Sequence, residues 1–297
     1  MLKDKSLESQ VRVAITYALI ILLGLLCLLP LWNVVCLSFS SSWAVIARRV
    51  TLLPVDFNTI AYRELLRDQQ FWRSFAISVE RVGLSLVLSM ALIVLMAYPL
   101  SKTEHEFRGR NFFMGILIVA MLFSDGMIPT YLLVKQMKLI NTIWSLVLTD
   151  AVPIFSVIMV KNFFVALPPS LEEAAIIDGA NPLQVLYKVY IPCCLPVLAT
   201  VALFSIVDNW NDYFKGMVYM TKMRMLPLMS NIRSISVDLQ KLVENGASPE
   251  QLEAASKFSN DALNSAKIVV STVPLLLIYP FLQKYLITGI TIGSVKE

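Results

Sequence analysis

Residues 13–38 read VAITYALIILLGLLCLLPLWNVVCLS, without one charged side chain. A helix over this stretch is about 39 Å long, enough to cross the roughly 30 Å of hydrocarbon in a bilayer. The run is too long for the apolar region of a signal peptide, and no A-x-A site follows it. It reads as an uncleaved first span, despite Lys3, Lys5 and Arg12 in front. Five further apolar segments follow at roughly 75–99, 112–134, 142–166, 192–214 and 264–287. Backbone amides in hydrocarbon must be paired within their own segment, so helices are predicted and strands are not. The fold class is therefore all-α, one polytopic integral membrane domain over 1–297 with six transmembrane helices.

Composition agrees. The chain is 57% hydrophobic and 15% charged, against about 45–50% and 25% for soluble domains, and no stretch has the charge to be one. With a net charge of +4 and no basic cluster interleaved with aromatics, nucleic acid is not a partner. Cys27, Cys36, Cys193 and Cys194 have neither zinc spacing nor a disulfide framework. His105, the one histidine, sits in a polar turn, KTEHEFRGR. No GxxxxGK[ST] phosphate loop and no Ser/His/Asp or Cys/His arrangement is present, so the chain is not an enzyme and binds no ATP of its own.

Lys and Arg placement is mixed. Arg48, Arg49, Arg63, Arg67 and Arg73 fall in long outer segments, whereas Lys102, Arg108 and Arg110 crowd one short turn. The positive-inside rule weights short loops, which favours both termini inside. Two polar stretches are long enough to fold, 39–74 and 215–263, both outside in this topology. In the second, Ser248, Pro249, Glu250 and Gln251 predict a helix start.

Between the fourth and fifth segments, residues 167–196 read LPPSLEEAAIIDGANPLQVLYKVYIPCCLP. Pro168 and Pro169 stop the preceding span. Ser170 and Glu173 have capping-box spacing for a short helix through Ile177. Asp178 and Gly179 end it, glycine supplying the left-handed cap. Asn181 caps and Pro182 starts a second helix to about Tyr190, and Pro192 and Pro196 open the fifth span. A surface helix-turn-helix results, with small Ala174 and Ala175 predicted to be exposed as a docking knob.

The spacing Glu173-Ala174-Ala175, three residues, Gly179, nine residues, Val189-x-Ile191-Pro192 resembles the EAA loop, EAA-x3-G-x9-I-x-LP, of binding-protein-dependent ABC importer permeases. Its departures are Val for Ile and Ile for Leu. The likeness extends through AYPLSK (97–102), DGMIPTYLLVKQMKLINTIWSLVL (125–148), KNFFVALPPSLEEAAIIDGA (161–180), DNWNDYF (208–214) and YPFLQKYLITGITIGSVKE (279–297). It is similar to the maltose-type branch, nearest those serving polysaccharide fragments. Asp125 and Glu297 stand where that branch has glycine.

The resemblance implies a cytoplasmic coupling helix within loop 168–196, with Glu172, Glu173, Ala174, Ala175, Asp178, Gly179, Ala180 and Asn181 at the ATPase contact. It implies a second homologous permease, two cytoplasmic ATPase subunits that bind ATP and Mg, an extracellular substrate-binding protein, and an oligosaccharide as cargo. The alternatives are a permease of the same class for a peptide, amino acid or anion, and a secondary transporter needing no ATPase. Continuous likeness outside the loop argues against the first. The lack of inverted repeats argues against the second.

Ionisable groups inside spans are functional candidates. Glu80 and Arg81 are adjacent on the second span and cannot face each other, so Arg81 is expected to snorkel to the interface or meet another subunit. Asp208, Asn209, Trp210, Asn211, Asp212 and Tyr213 end the fifth span, joining an aromatic face to carboxylates and amides suited to a sugar. Trp210 either stacks on the sugar ring or serves as an interface anchor or packing residue where the loop starts. Asp125 and Asp150 are further candidates for the pathway.

Overall fold

A computed structural model describes residues 7–123, 126–234 and 261–293. Among them every regular element is helical. Asp125, Asn245 and the helix start expected at Ser248 lie outside the described residues, as does most of 215–263.

The chain divides into two compact units. The first draws on Met1–Phe71 and Ile235–Thr272. Its long helix α1 (Leu7–Ser38) leaves its most apolar window wholly uncovered, 0% buried. So large an apolar surface is untenable in water and natural in lipid or against another subunit. At the helix end the chain folds back on itself. Trp32 Nε1 donates to the Leu52 carbonyl at 2.8 Å and Asn33 Nδ2 to that of Thr51 at 2.6 Å. Phe39 stacks on Phe57 at 5.3 Å. Two short helices follow, α2 (Ser42–Ile46) and α3 (Ile60–Arg67). Asp68 ends α3 and pairs with Lys267 at 2.6 Å. Burial pushes the Asp68 carboxyl up, but the bonds from Lys267 and the Phe71 amide outweigh this and hold it below the usual range.

The second unit draws on Trp72–Ser234 and Val273–Glu297. It takes in most of α4 (Gln69–Ser101), followed by α5 (Arg110–Leu122) and α6 (Met127–Gln136). Next come α7 (Trp144–Val147) with a 3₁₀ turn to Asp150, and α8 (Ile154–Val165). The loop helices are α9 (Pro169–Ile177), α10 (Pro182–Val185) and α11 (Ile191–Cys193), then α12 (Leu195–Asn211) and α13 (Phe214–Tyr219). The last helix, α14 (Asp261–Gly293), begins in the first unit and ends in the second.

Among the described residues three helices are long and apolar enough to span alone, and up to six spans result if each bent pair counts as one. The fourth predicted segment bends by 48° between Asp150 and Ile154, and the fifth by 83° around Cys194. Pro153 caps α8, and Pro192 and Pro196 flank the second bend. Each proline removes a donor and crowds the carbonyl four residues back, so the helix axis breaks there. The third segment is likewise divided, into α5 and α6.

One face of α4 carries Ser74, Ser78, Arg81, Ser85 and Ser89, each at most 2% exposed. Steps of three or four residues align them, and small hydroxyl side chains let neighbouring helices approach closely. Further along, Ile93, Ala97 and Leu100 join Val157, Val160 and Phe164 of α8 and Val197, Leu198 and Val201 of α12 in one core.

Candidate functional site: a polar cavity and an exposed helical loop

Two places concentrate chemistry. The first is a cavity of about 590 Å³ walled by α4, α8, α12 and the turn before α8. Its size falls within the usual range for ligand pockets. Hydroxyls of Ser89, Thr149, Ser156 and Ser205, the amides of Asn209 and Asn211, and the carboxylates of Asp150, Asp208 and Asp212 face it, with Lys215. Every one of these can donate to or accept from a hydroxyl-rich ligand.

Two ion pairs border this cavity. Arg81, fully buried, donates Nη2 to Asp212 Oδ2 at 2.6 Å and Nη1 to the Asp212 carbonyl at 3.2 Å. The expectation that Arg81 snorkels or meets another subunit is therefore corrected: it turns inward because a carboxylate and a carbonyl at the end of α12 meet its planar fork. Glu80, its neighbour, is exposed. The second pair, Lys215 with Asp150, stands in the shared wall between this cavity and a smaller one of about 310 Å³. Arg81 Nε, Ser85 Oγ and Asn209 Oδ1 are buried without a hydrogen-bond partner among the described residues.

Of the residues proposed from sequence, Asp208, Asn209, Asn211, Asp212 and Asp150 line the cavity. Trp210 and Tyr213 do not. Trp210 is only 4% exposed and packs edge-on against Phe75 at 5.6 Å. Helical spacing explains it: Asp208 and Asp212 share a face, and Trp210 lies half a turn away. Of the two roles open to Trp210 from sequence, its burial against Phe75 favours packing. Trp210→Ala should lower stability by about 3–5 kcal/mol through cavity formation, with transport kinetics per assembled complex unchanged. Reduced thermal stability of the purified variant checks this, and a raised half-saturation with normal stability would restore the stacking role. Tyr213 is exposed, with the Arg233 guanidinium 5.7 Å from its ring centroid.

The second place is the loop 168–196. Gly179 adopts φ +80°. Its amide bonds the Ile176 carbonyl at 2.9 Å, and the Ala180 amide bonds that of Ala175 at 2.9 Å. These two bonds make a Schellman cap on α9. Asn181 and Gln184 then exchange reciprocal 2.9 Å bonds as a capping box on α10. The box expected at Ser170 and Glu173 is not formed: α9 starts at Pro169 with Pro168 at the cap, and no side chain caps it. The paired prolines start the helix two residues earlier, putting Ser170 inside its first turn.

After α10 the backbone widens into a π turn over Leu186–Tyr190. Pro192 has no amide to continue the α-helical ladder, and the register shifts ahead of it. Tyr190 Oη donates to Glu172 Oε2 at 2.6 Å, and Lys102 pairs with Glu172 Oε1. Glu173, Ala174, Asp178, Gly179 and Asn181 are exposed. Ala175 and Ala180 pack against the core instead, correcting the expectation that both alanines of the motif are outward. The loop's apolar surface comes from residues the motif does not mark, among them Ile177 at 85% exposed, Leu183 and Tyr187.

An all-helical chain with an apolar exterior, a polar cavity between its helices and an exposed helical knob defines a transport permease. Residues 82–238 match the family described as the binding-protein-dependent transport system inner membrane component. The chain is 36% identical over 287 residues to the polygalacturonan/rhamnogalacturonan transport system permease protein YtcP of Bacillus subtilis. That match covers 94% of this chain and 96% of the relative. Protein LplC of the same organism is 36% identical over 279 residues, covering 92% of this chain and 90% of the relative. The crystal structure of a bacterial ABC transporter involved in the import of the acidic polysaccharide alginate contains a similar chain. It is 34% identical, with a TM-score of 0.83, covering 94% of this chain and 98% of that one. The chain belongs to the family of binding-protein-dependent transport system inner membrane components.

Proposed function

We propose that this chain is the permease subunit of an ABC importer, translocating oligosaccharides or polysaccharide fragments through the α4/α8/α12 cavity. The carrying observation is that cavity: hydroxyls, amides and carboxylates converge inside a chain whose spans are otherwise apolar. The polysaccharide cargoes named for YtcP and for the alginate transporter support the choice of sugar. Asp208, Asn209, Asn211 and Asp212 hydrogen-bond the cargo hydroxyls, and Asp150–Lys215 sits at the partition to the smaller cavity. Asp125 belongs to the same pathway in this reading.

A second, homologous permease completes the translocation channel, and an extracellular binding protein delivers the sugar. Two cytoplasmic ATPase subunits, which hold ATP and Mg, drive the cycle through a coupling helix, α9. Glu172, Glu173, Ala174 and Ala175 on it, with Asp178, Gly179, Ala180 and Asn181 in the turn that follows, make the contact, and Ile177 and Leu183 are the apolar surface that seats in the ATPase. ATP binding favours one arrangement of the permease pair and hydrolysis releases it, a rigid-body transition driven by differential affinity. The protein resides in the cell membrane with both termini, His105 and Glu173 in the cytoplasm, and Asn58 and the 215–263 segment outside.

Proteoliposomes holding the full complex test the function. Import of oligogalacturonides with their loaded binding protein and ATP is expected. Asn211→Ala, which removes an exposed amide from the cavity wall, should reduce it several-fold, since one amide supplies up to two bonds of about 1 kcal/mol each. Equal import by the variant would remove the cavity from the pathway. For orientation, single cysteines at Asn58 and Glu173 are probed on intact cells with an impermeant thiol reagent. Labelling at Glu173 and none at Asn58 would invert the topology.

A further inference from the structure

Lys102 follows the last residue of α4 and meets two elements of the loop at once. Its ammonium pairs with Glu172 of α9, lies 3.3 Å from Tyr190 Oη, and sits over the rings of Tyr98 and Tyr190 at 4.4 and 4.9 Å. Tyr190 closes the triangle through its 2.6 Å bond to Glu172. Its ring packs edge-on between Tyr98 of α4 and Phe164 of α8, at 5.2 Å from each. The Lys102 and Glu172 side chains are only 12% and 17% exposed. A charged pair so enclosed, with directional bonds on both sides, fixes register in a way that apolar contact alone does not.

Toward the opposite end of the same helix, Arg81 holds Asp212 at the end of α12. The two pairs are about 30 Å apart along α4, close to the thickness of the hydrocarbon. Between them α4 and α12 share the apolar core and the cavity wall. The loop is continuous in sequence with α12, so α4 and the loop–α12 segment are tied at two well-separated points.

We propose that Lys102, Glu172 and Tyr190 form a clamp that locks the coupling helix to α4, so that displacement of α9 is carried along α4 to the Arg81–Asp212 pair at the cavity. Lys102 and Tyr190 are positioning residues in this scheme, and Glu172 acts within the subunit while Glu173, exposed one residue on, remains free to meet the ATPase. The proposal rests on the importer reading given above. An unclamped α9 would still seat in the ATPase, but it would be tied to the spans only by the apolar contacts of Ala175 and Ala180 with the core and by the bend at Cys194, where the helix axis already turns by 83°.

The test measures cargo imported per ATP hydrolysed by the full complex in proteoliposomes, with oligogalacturonides and their binding protein as the probe, normalised to assembled complex. Lys102→Glu and Glu172→Lys should each lower that ratio roughly tenfold, and the double exchange should recover most of it, as expected for a directly coupled pair. Tyr190→Phe, which deletes one hydroxyl and keeps the ring, should lower the ratio several-fold, and it decides the question if the charge-reversed chains do not assemble. A merely structural role would change the amount of complex and leave the ratio alone. Variants as tightly coupled as the parent, or a double exchange no better than the single changes, would overturn the clamp. A parent complex that hydrolyses ATP without importing the probe would instead overturn the cargo reading, so the two failures are distinguishable.

Discussion

Replacing Arg81 with alanine should cost the protein about 3–5 kcal/mol, because it empties a fully buried site and breaks an ion pair, leaving the Asp212 carboxylate at the cavity wall with only the Phe214 and Lys215 amides as donors. Arg81 is fully buried and makes two bonds to one residue, at 2.6 and 3.2 Å. Arg81→Lys keeps the charge but not the planar fork, so it should fall between the parent and alanine. Arg81→Met combined with Asp212→Asn removes both charges while keeping the side-chain oxygen that accepts from the Phe214 and Lys215 amides, and stability should largely return. Melting temperatures of the purified permease in detergent or nanodiscs check the series. An Arg81→Ala protein melting within about one degree of the parent would show that solvent reaches the pair. Normal import by the stable double variant would leave the pair a purely structural device and remove the Asp212 charge from the cargo path, whereas poor import would show that transport needs the charged pair at the cavity wall.

Gly179→Pro should abolish uptake while the binding protein's affinity for sugar stays the same. Three effects coincide at this residue. Proline cannot reach φ +80°, it has no amide for the Ile176 carbonyl, and its loss undoes the cap that turns α9 into α10. Alanine isolates the first effect. No atom lies within 4 Å of a Cβ built there, so Gly179→Ala meets no clash and pays only the left-handed backbone, about 1–2 kcal/mol. Partial uptake is expected from alanine and none from proline. Cargo-stimulated ATP hydrolysis by the reconstituted complex is the readout, and a parental rate from the proline variant would sink the coupling role of this turn.

The devices near Gly179 were legible because they are local. A glycine cap, an asparagine with glutamine three residues on, and a proline at the first helical position each act within a few residues, and the structure has all of them at Gly179, Asn181 and Pro182. The one local misreading, at Ser170, arose where two rules competed and the proline pair moved the helix start. Long apolar runs were equally plain, and α1, α4 and α14 follow from them. The bends near Pro153 and Cys194 were signalled by prolines, but their angles depend on what packs beyond the break.

Nothing in the sequence joins Arg81 to Asp212, 131 residues away, or Lys102 to Glu172, 70 residues away. An arginine inside a span announces that it must be satisfied, and leaves open by what. Likewise the run from Asp208 to Tyr213 announced a polar helix end, while the direction of each side chain waited on the neighbours of α12. Phe75 takes Trp210 into the packing, and the cavity takes Asp208, Asn209 and Asp212. Sequence by itself determined the apolar helices and most of the turns of the loop, because backbone pairing in lipid and capping chemistry are short-range. The class of protein followed from the resemblance of the EAA spacing and its surrounding stretches to a known family. Tertiary structure alone decided which charges pair and which faces meet the cavity, because those choices belong to side chains brought together from distant parts of the chain.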